Sequence, residues 1–256
     1  MSEEKNNLSI SGIKIFFLYP TASVQNQVIT ELAQHEFEVY TSKDHTRLMR
    51  TLKKYTDSIV FINIDDNMPE SEWEKWISTL ISTIPTVKLG IFSSNSSDEI
   101  KDKYTSKPQI NCGFIMLKLD MSKASEKILE VLEVLNAKGR RKYLRASTER
   151  ETNTTINMPL HGDFINGAIK DISVVGISCV FDHDLDLAKN SLHKDIQIRL
   201  QSNLLKVEAI IFGSREELGQ KIYVLLFTQR IAPEVRVKIR KYIQKNLQAK
   251  MDSENN

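Results

Sequence analysis

Apolar runs alternate with helix-period stripes through the first half of the chain, and this alternation most restricts how it can fold. Ile13 to Leu18 is apolar but for Lys14, the mark of a strand buried on both faces. Val24, Val28 and Leu32 then recur at helical spacing. Phe37 to Tyr40 reads as a second strand, and His45, Leu48 and Leu52 as a second helix face. Ser58 to Ile64 is a third strand. Ser71-x-x-Glu74 reads as a capping box before a stripe of Trp73, Trp76, Ile77, Leu80, Ile81 and Ile84. Val87 to Phe92 and Gly113 to Leu117 are the fourth and fifth strands. Ile128, Val131, Leu132 and Leu135 stripe a last helix, with Gly139 as its stop. Strands alternating with helices give a parallel sheet covered on both faces. The expectation for residues 12–137 is an α/β domain with a doubly wound, five-stranded parallel sheet. The helical spacing of the two Trp places them in its core.

Past residue 140 the period shortens. Ile156, Met158 and Leu160 share one side of a strand, and Phe164 to Ile172 follows, with Gly167 as a bulge. Ile177 to Phe181 comes next, and Ile196, Ile198 and Leu200 alternate cleanly. Val207 to Phe212 and Ile222 to Phe227 flank a turn region from Gly213 to Gly219. Short strands separated by turns predict a small antiparallel β-barrel over residues 140–250. Pro233 can open a helix, and Val235, Ile239, Tyr242 and Leu247 give it an apolar face that caps the barrel. Its Lys and Arg residues form a solvated face, and Asp252 to Asn256 reads as a polar tail.

Composition excludes several classes. The chain has 256 residues, a formal net charge of +2 and 41% hydrophobic residues, which fits a soluble protein of two domains. That charge argues against a nucleic-acid polymer as partner. No apolar run approaches a membrane span, and Met1 to Asn7 lacks the apolar core of a signal peptide. The expected location is the cytoplasm, without membrane insertion. Cys112 and Cys179 read as buried free thiols in different domains. Paired metal ligands at short spacing are missing, and Asp182-His183-Asp184-Leu185-Asp186 reads as an exposed acidic loop. No G-x-S-x-G, H-E-x-x-H or Walker loop occurs, so no catalytic residue, metal or cofactor is assigned and the chain is not expected to be an enzyme.

Two short motifs bracket the start of the second domain. Arg140-Arg141-Lys142-Tyr143-Leu144-Arg145 carries R-x-x-x-R at Arg141 and Arg145. Asp171-Ile172-Ser173-Val174-Val175-Gly176 reads D-x-S-x-x-G at Asp171, Ser173 and Gly176. In this order, with apolar strands around them, they resemble the PilZ domain, a bacterial receptor module for cyclic diguanylate (c-di-GMP). The resemblance covers about residues 140–250. It implies a c-di-GMP site at Arg141, Arg145, Asp171, Ser173 and Gly176, with Arg140 as an extra contact. The side-chain chemistry agrees. Arg is a permanently charged planar fork that binds phosphate, stacks on flat rings and matches the O6 and N7 acceptors of guanine. An ionised Asp accepts from guanine N–H groups, Ser offers a small hydroxyl, and Gly allows close backbone approach.

The first domain resembles the receiver domain of two-component signalling. Asp65-Asp66-Asn67-Met68-Pro69 is similar to the D-x-x-M-P around a receiver's phosphorylated Asp, which would place the phosphoacceptor at Asp65. Ser93 and Lys118 stand at the ends of strands four and five, where receivers carry Ser or Thr and Lys. The departures are larger. Tyr19, Pro20 and Thr21 replace the acidic residues that hold Mg²⁺, Leu119 stands where receivers have Pro, and Asn63 competes with Asp65 for the acceptor position. The expectation is a receiver-like fold without phosphotransfer. Together the resemblances imply a cytoplasmic c-di-GMP effector that alters its interdomain arrangement on binding and is read by an unidentified protein partner. The rival expectations are a response regulator phosphorylated at Asp65 and a ligand-free scaffold.

Overall fold

Apolar strands with no polar side need cover on both faces, and the helices between them supply it. The structure is a computed structural model that describes residues 12–118, 120–148, 151–183 and 185–254. The readings made for Met1 to Asn7, Leu119, Asp184 and the final Asn255 and Asn256 lie outside the described residues. The chain divides into two units, Met1–Lys142 with Lys250–Asn256, and Tyr143–Ala249.

In the first unit, β1 (Lys14–Leu18), β2 (Val39–Ser42), β3 (Ser58–Asn63), β4 (Lys88–Ser93) and β5 (Phe114–Met116) form a sheet in the order β2-β1-β3-β4-β5. Every pairing is parallel. The helices are Thr30–Gln34, His45–Lys54, Glu70–Thr83, Asp98–Thr105 and Met121–Val134. All six residues of the central strand β3 are buried. Ile15, Phe17, Ile59 and Phe61 share one core with Val28, Leu32, Ile128 and Leu132. The alternate residues Phe16, Leu18, Val60 and Ile62 are also buried, as period-two strands covered on both faces require. Each such side chain contributes about 1.5–3 kcal/mol by leaving water. Trp73 is fully buried, whereas Trp76 is only half-buried.

Several local expectations are corrected. The capping box at Ser71 does not form: the helix begins at Glu70 after Pro69, whose extended backbone opens it without a side-chain cap. Glu70 and Glu72 in the first turn favour the positive helix end instead. The stop of the last helix is not Gly139. Asn136 takes the left-handed φ of 51°, and the N–H groups of Asn136 and Ala137 return to Glu133 and Leu132 at 3.0 Å. β2 starts later than expected, because the N–H of Phe37 bonds back to Leu32 and leaves the ladder. Val24 to Ile29 is a π-helical stretch that buries Val24, Val28 and Ile29 together.

The second unit holds β6 (Ala146–Ser147), β7 (Thr154–Leu160), β8 (Asp163–Ser173), β9 (Gly176–Phe181), β10 (Leu192–Leu200), β11 (Asn203–Glu217) and β12 (Gln220–Phe227). The ladder runs β6-β8-β7-β10-β11-β12-β9, and β9 pairs back to β8. Six antiparallel strands thus close into a barrel, which removes free edges among them, and β6 adds a short strand to β8. Ile156, Ile198, Val207 and Leu225 lie in its core with Ile239, Tyr242 and Ile243 of the helix Pro233–Ser253. Asp252 and Ser253 complete that helix, where a tail was expected. Gly167 is not the bulge; the register shifts between Ile169 and Asp171. Gly167 serves close approach instead, since a Cβ there would stand 2.4 Å from the carbonyl oxygen of Val180.

A polar knot ties the helix to the barrel. The Glu151 carboxylate accepts from Tyr242 Oη at 2.8 Å, Asn246 Nδ2 at 2.6 Å and Thr154 Oγ1 at 2.9 Å. Burial is the main reason the Tyr242 hydroxyl is pushed up to about 12, so it stays a donor at neutral pH. Hydrogen bonds to a charged group are worth about 1.5–3 kcal/mol each, so Glu151→Ala should destabilise the barrel by about that amount or more. Urea unfolding followed by far-UV circular dichroism checks this, and an unchanged midpoint would mean that the knot adds nothing.

Candidate functional site

The hairpin of β8 and β9 builds the D-x-S-x-x-G segment into one surface. Val174 and Val175 make the turn, so residues equidistant from it pair: Ser173 with Gly176, Ile172 with Ile177, and Asp171 with Ser178. Ile172 and Val174 point into the core, which turns Asp171 outward. β6 pairs Ser147 with Asp171 and Ala146 with Ile172, so the chain just after Arg145 is anchored beside β8.

The roles of the six expected site residues differ. Asp171 is held by Ser178, whose Oγ donates to Oδ2 at 2.5 Å. Its other oxygen, Oδ1, faces Arg145 Nη1 at 3.8 Å. The Arg145 side chain is 51% exposed and that of Asp171 29%, so solvent reaches both. Ser173 is buried and works within the turn: Oγ donates to the carbonyl of Gly176 at 3.2 Å and accepts from the N–H of Val175 at 3.4 Å. Gly176 is required by packing, since a Cβ would stand 2.3 Å from the carbonyl oxygen of Leu225 on β12. Arg140 and Arg141 are exposed and fall in the first unit, and neither has a hydrogen-bond or ion-pair partner among the described residues. The structure therefore brings Arg145, Asp171, Ser173 and Gly176 to one hairpin, with Arg140 and Arg141 preceding it in the chain.

Ser178 was missed from sequence, and it completes the arrangement. Its signal is positional: it stands as far after the two-residue turn as Asp171 stands before it. Its hydroxyl fixes one carboxylate oxygen and leaves the other for a donor from outside. Beneath the pair, Cys179 is buried, and burial with the Asp171 charge pushes its thiol well up. Cys112, in the first unit, is pushed up to about 12 by burial. Both are free thiols with little thiolate character.

The carboxyl end of the parallel sheet holds the receiver-like residues. Asn63 is the last residue of β3; its amide donates to the Tyr19 carbonyl at 3.0 Å and accepts from the N–H of Asp65 at 3.2 Å. Asp65 therefore lies beyond the strand. Its carboxylate accepts from Ser93 Oγ at 2.7 Å and from the N–H of Ser94. Lys118 is exposed in the turn after β5. Tyr19 takes a φ of 51°, and its ring packs with His45 and Trp73 at centroid distances of 6.4 and 5.9 Å. Trp76 closes on His45 and Trp73 at 6.0 and 5.6 Å. An aromatic cluster thus follows β1 where receivers place carboxylates. Among the described residues, no group of three or more His, Cys, Asp or Glu side chains could hold a metal ion.

No family model matches the chain, and neither does any curated protein. Solved structures similar to it include PilZ domains and response regulators. The PilZ domain with c-di-GMP of YcgR from Escherichia coli is 15% identical, covers 45% of this chain and 96% of its own, and has a TM-score of 0.40. PlzA from Borreliella burgdorferi in complex with c-di-GMP is 22% identical, over 46% of this chain and 57% of PlzA, with a TM-score of 0.31. A response regulator from Thermotoga maritima is 13% identical, over 48% of this chain and 98% of its own, with a TM-score of 0.39. No helix among the described residues is long and apolar enough to cross a membrane.

Two outcomes test these assignments. Gly176→Ala should destabilise the second unit by about 1–3 kcal/mol through overpacking, with no ligand present, as chemical denaturation would show. Incubation with acetyl phosphate and Mg²⁺ should leave Asp65 unmodified, because a metal needs carboxylate oxygens that the aromatic cluster does not offer. Intact-mass spectrometry reads the second outcome, and a phosphate adduct absent from Asp65→Asn would refute it.

Proposed function

We propose that this chain is a receptor for c-di-GMP, with residues 140–250 as the binding domain and residues 12–137 as a receiver-like partner domain. The observation that carries the reading is the Arg145–Asp171 pair. An acceptor on the β8–β9 hairpin and a planar cation just before β6 stand 3.8 Å apart, and both are open to solvent. A half-exposed ion pair of this kind is worth about 0–1 kcal/mol, so a ligand can replace it at little cost. The Arg145 guanidinium would take a phosphate or the O6 and N7 edge of a guanine, and Asp171 Oδ1 would accept from guanine N–H groups. Ser178 and Ser173 would orient the carboxylate and the turn without needing to touch ligand. Arg141 and Arg140 would bring further charge to the phosphates. Nothing in this scheme transforms the ligand, so the chain acts as a receptor and not as an enzyme.

Binding would also act on the segment before the hairpin. Residues 140–145 join the two domains in sequence and carry several like charges. Phosphate neutralises them and orders the segment, and the two domains then adopt an arrangement that a protein partner reads. Ordering costs roughly 1–2 kcal/mol of backbone entropy per residue, which the phosphate contacts must offset.

Calorimetric titration of the full chain with c-di-GMP tests the site. Losing a hydrogen bond to a charged group should weaken binding about 10- to 150-fold in Arg145→Ala and in Asp171→Ala. No heat from the wild-type chain would end the reading, and wild-type affinity in both variants would end the residue assignment. Hydrogen exchange across residues 138–147 should slow on saturation with ligand. Exchange that stays unchanged there would remove the proposed switch and leave the site.

A further inference from the structure

The outer face of a closed barrel should be polar, because its inward positions carry the core. One cross-strand row obeys this: Asn166, Asn157, Gln197 and Lys206 stand side by side on β8, β7, β10 and β11. A second row does not. Gly176 on β9 pairs with Leu226 on β12, Leu226 with Ile210 on β11, and Ile210 with Leu192 on β10. Leu226, Ile210 and Leu192 are 37%, 36% and 48% exposed, so three aliphatic side chains in register face solvent. Beyond Ile210, the register of β11 shifts between Ile211 and Gly213, and Phe212 at that irregularity is 56% exposed. Such an irregularity re-aims a side chain. Single exposed apolar residues need no explanation, but a contiguous patch does.

The position of the patch says what it meets. Its row begins at Gly176 of the candidate site, where a Cβ would come within 3.2 Å of Leu226 Cδ2, so Leu226 packs directly over the glycine. Asp171 and Ser178 occupy the next outward positions of the same hairpin. At the far side, the Lys189 ammonium lies 6.0 Å from the centre of the Phe212 ring. A flat apolar shelf with a cation and a carboxylate at one edge and a second cation at the other suits a planar base carried on an anionic backbone. From β9 to β11 is two strand spacings, about 10 Å.

We propose that Leu226, Ile210 and Phe212 form a stacking shelf for a purine base of the bound dinucleotide, beside the edge contacts made by Asp171 and Arg145. This rests on the reading given under Proposed function and adds the residues that hold the face of the base. An exposed aromatic is the side chain that stacks a base without sequence preference, and aliphatic neighbours extend the flat surface under it.

The test titrates c-di-GMP into the full chain as wild type, Phe212→Ala, Leu226→Ser and Arg145→Ala. These outward positions tolerate polar substitution, and thermal melts confirm folding before titration. Base–aromatic stacking sets the expected loss at about 5- to 150-fold for Phe212→Ala, with a smaller loss for Leu226→Ser. Phe212→Trp supplies a readout independent of affinity: stacked guanine should quench the added indole beyond the wild-type signal of Trp73 and Trp76. A wild type that binds and weakens only in Arg145→Ala, with both shelf variants at wild-type affinity and no added quenching, overturns the shelf and leaves the receptor reading intact. A wild type that binds no c-di-GMP removes the receptor reading and the shelf together. Sedimentation of the wild type as a dimer that Phe212→Ala dissociates, without change in affinity, assigns the face to a second copy and also overturns the shelf.

Discussion

The register of the β8–β9 hairpin is the constraint on which the rest of the site depends. A two-residue turn at Val174 and Val175 sets Asp171 opposite Ser178, and only that pairing fixes the carboxylate. The irregularity between Ile169 and Asp171 lets the upstream half of β8 keep its own match with β9 without disturbing the turn. Thr148 bonds the irregular stretch, with its N–H on the carbonyl of Lys170 and its hydroxyl on that of Ile169. A slip of one residue would send Asp171 into the core and Ile172 into water. The cost of that exchange, a buried charge against a lost aliphatic contact, is what keeps the acceptor outside.

The two units handle their carboxylates differently, and the contrast bears on function. Asp65 is committed to Ser93 and to the backbone of Ser94, with aromatic rings where further acceptors would be needed. Asp171 spends one oxygen on Ser178 and leaves the other to a weak, solvent-washed pair with Arg145. Solvent reaches both carboxylates, but both oxygens of Asp65 accept short hydrogen bonds within its own unit, whereas Asp171 Oδ1 has only the long pair with Arg145. The proposed recognition at the barrel rests on that free oxygen.

Much of the fold was legible because hydrophobic period reports burial directly. The strands of the parallel sheet and the helix stripe from Trp73 to Leu80 are of this kind. What the period did not report was how chain ends are closed. Pro69 began a helix that Ser71 was expected to cap, and Asn136 made the left-handed stop expected of Gly139, because side-chain size sets a preference there and backbone bonding decides. At the site, the spaced Arg and Asp were visible as residue types, and their approach to 3.8 Å comes from β6 pairing with β8. Ser178 and the aliphatic row from Leu226 to Leu192 were hidden, because cross-strand register is a long-range property that no local window carries. Gly167 shows the same limit: a glycine in a strand can mark a bulge or a close approach, and only the neighbouring strand tells which.

The account stands on recognition by the outer face of the β8–β9 hairpin. Two-dimensional ¹H–¹⁵N spectra of the full chain, recorded as c-di-GMP is added, test this most directly. The account predicts saturable shifts at Arg145, Asp171 and Ser178 and along Gly176, Leu226 and Ile210, with Asp65 and Ser93 unmoved. Shifts confined to Asp65, Ser93 and their neighbours, or no shifts at a large excess of nucleotide, would contradict it.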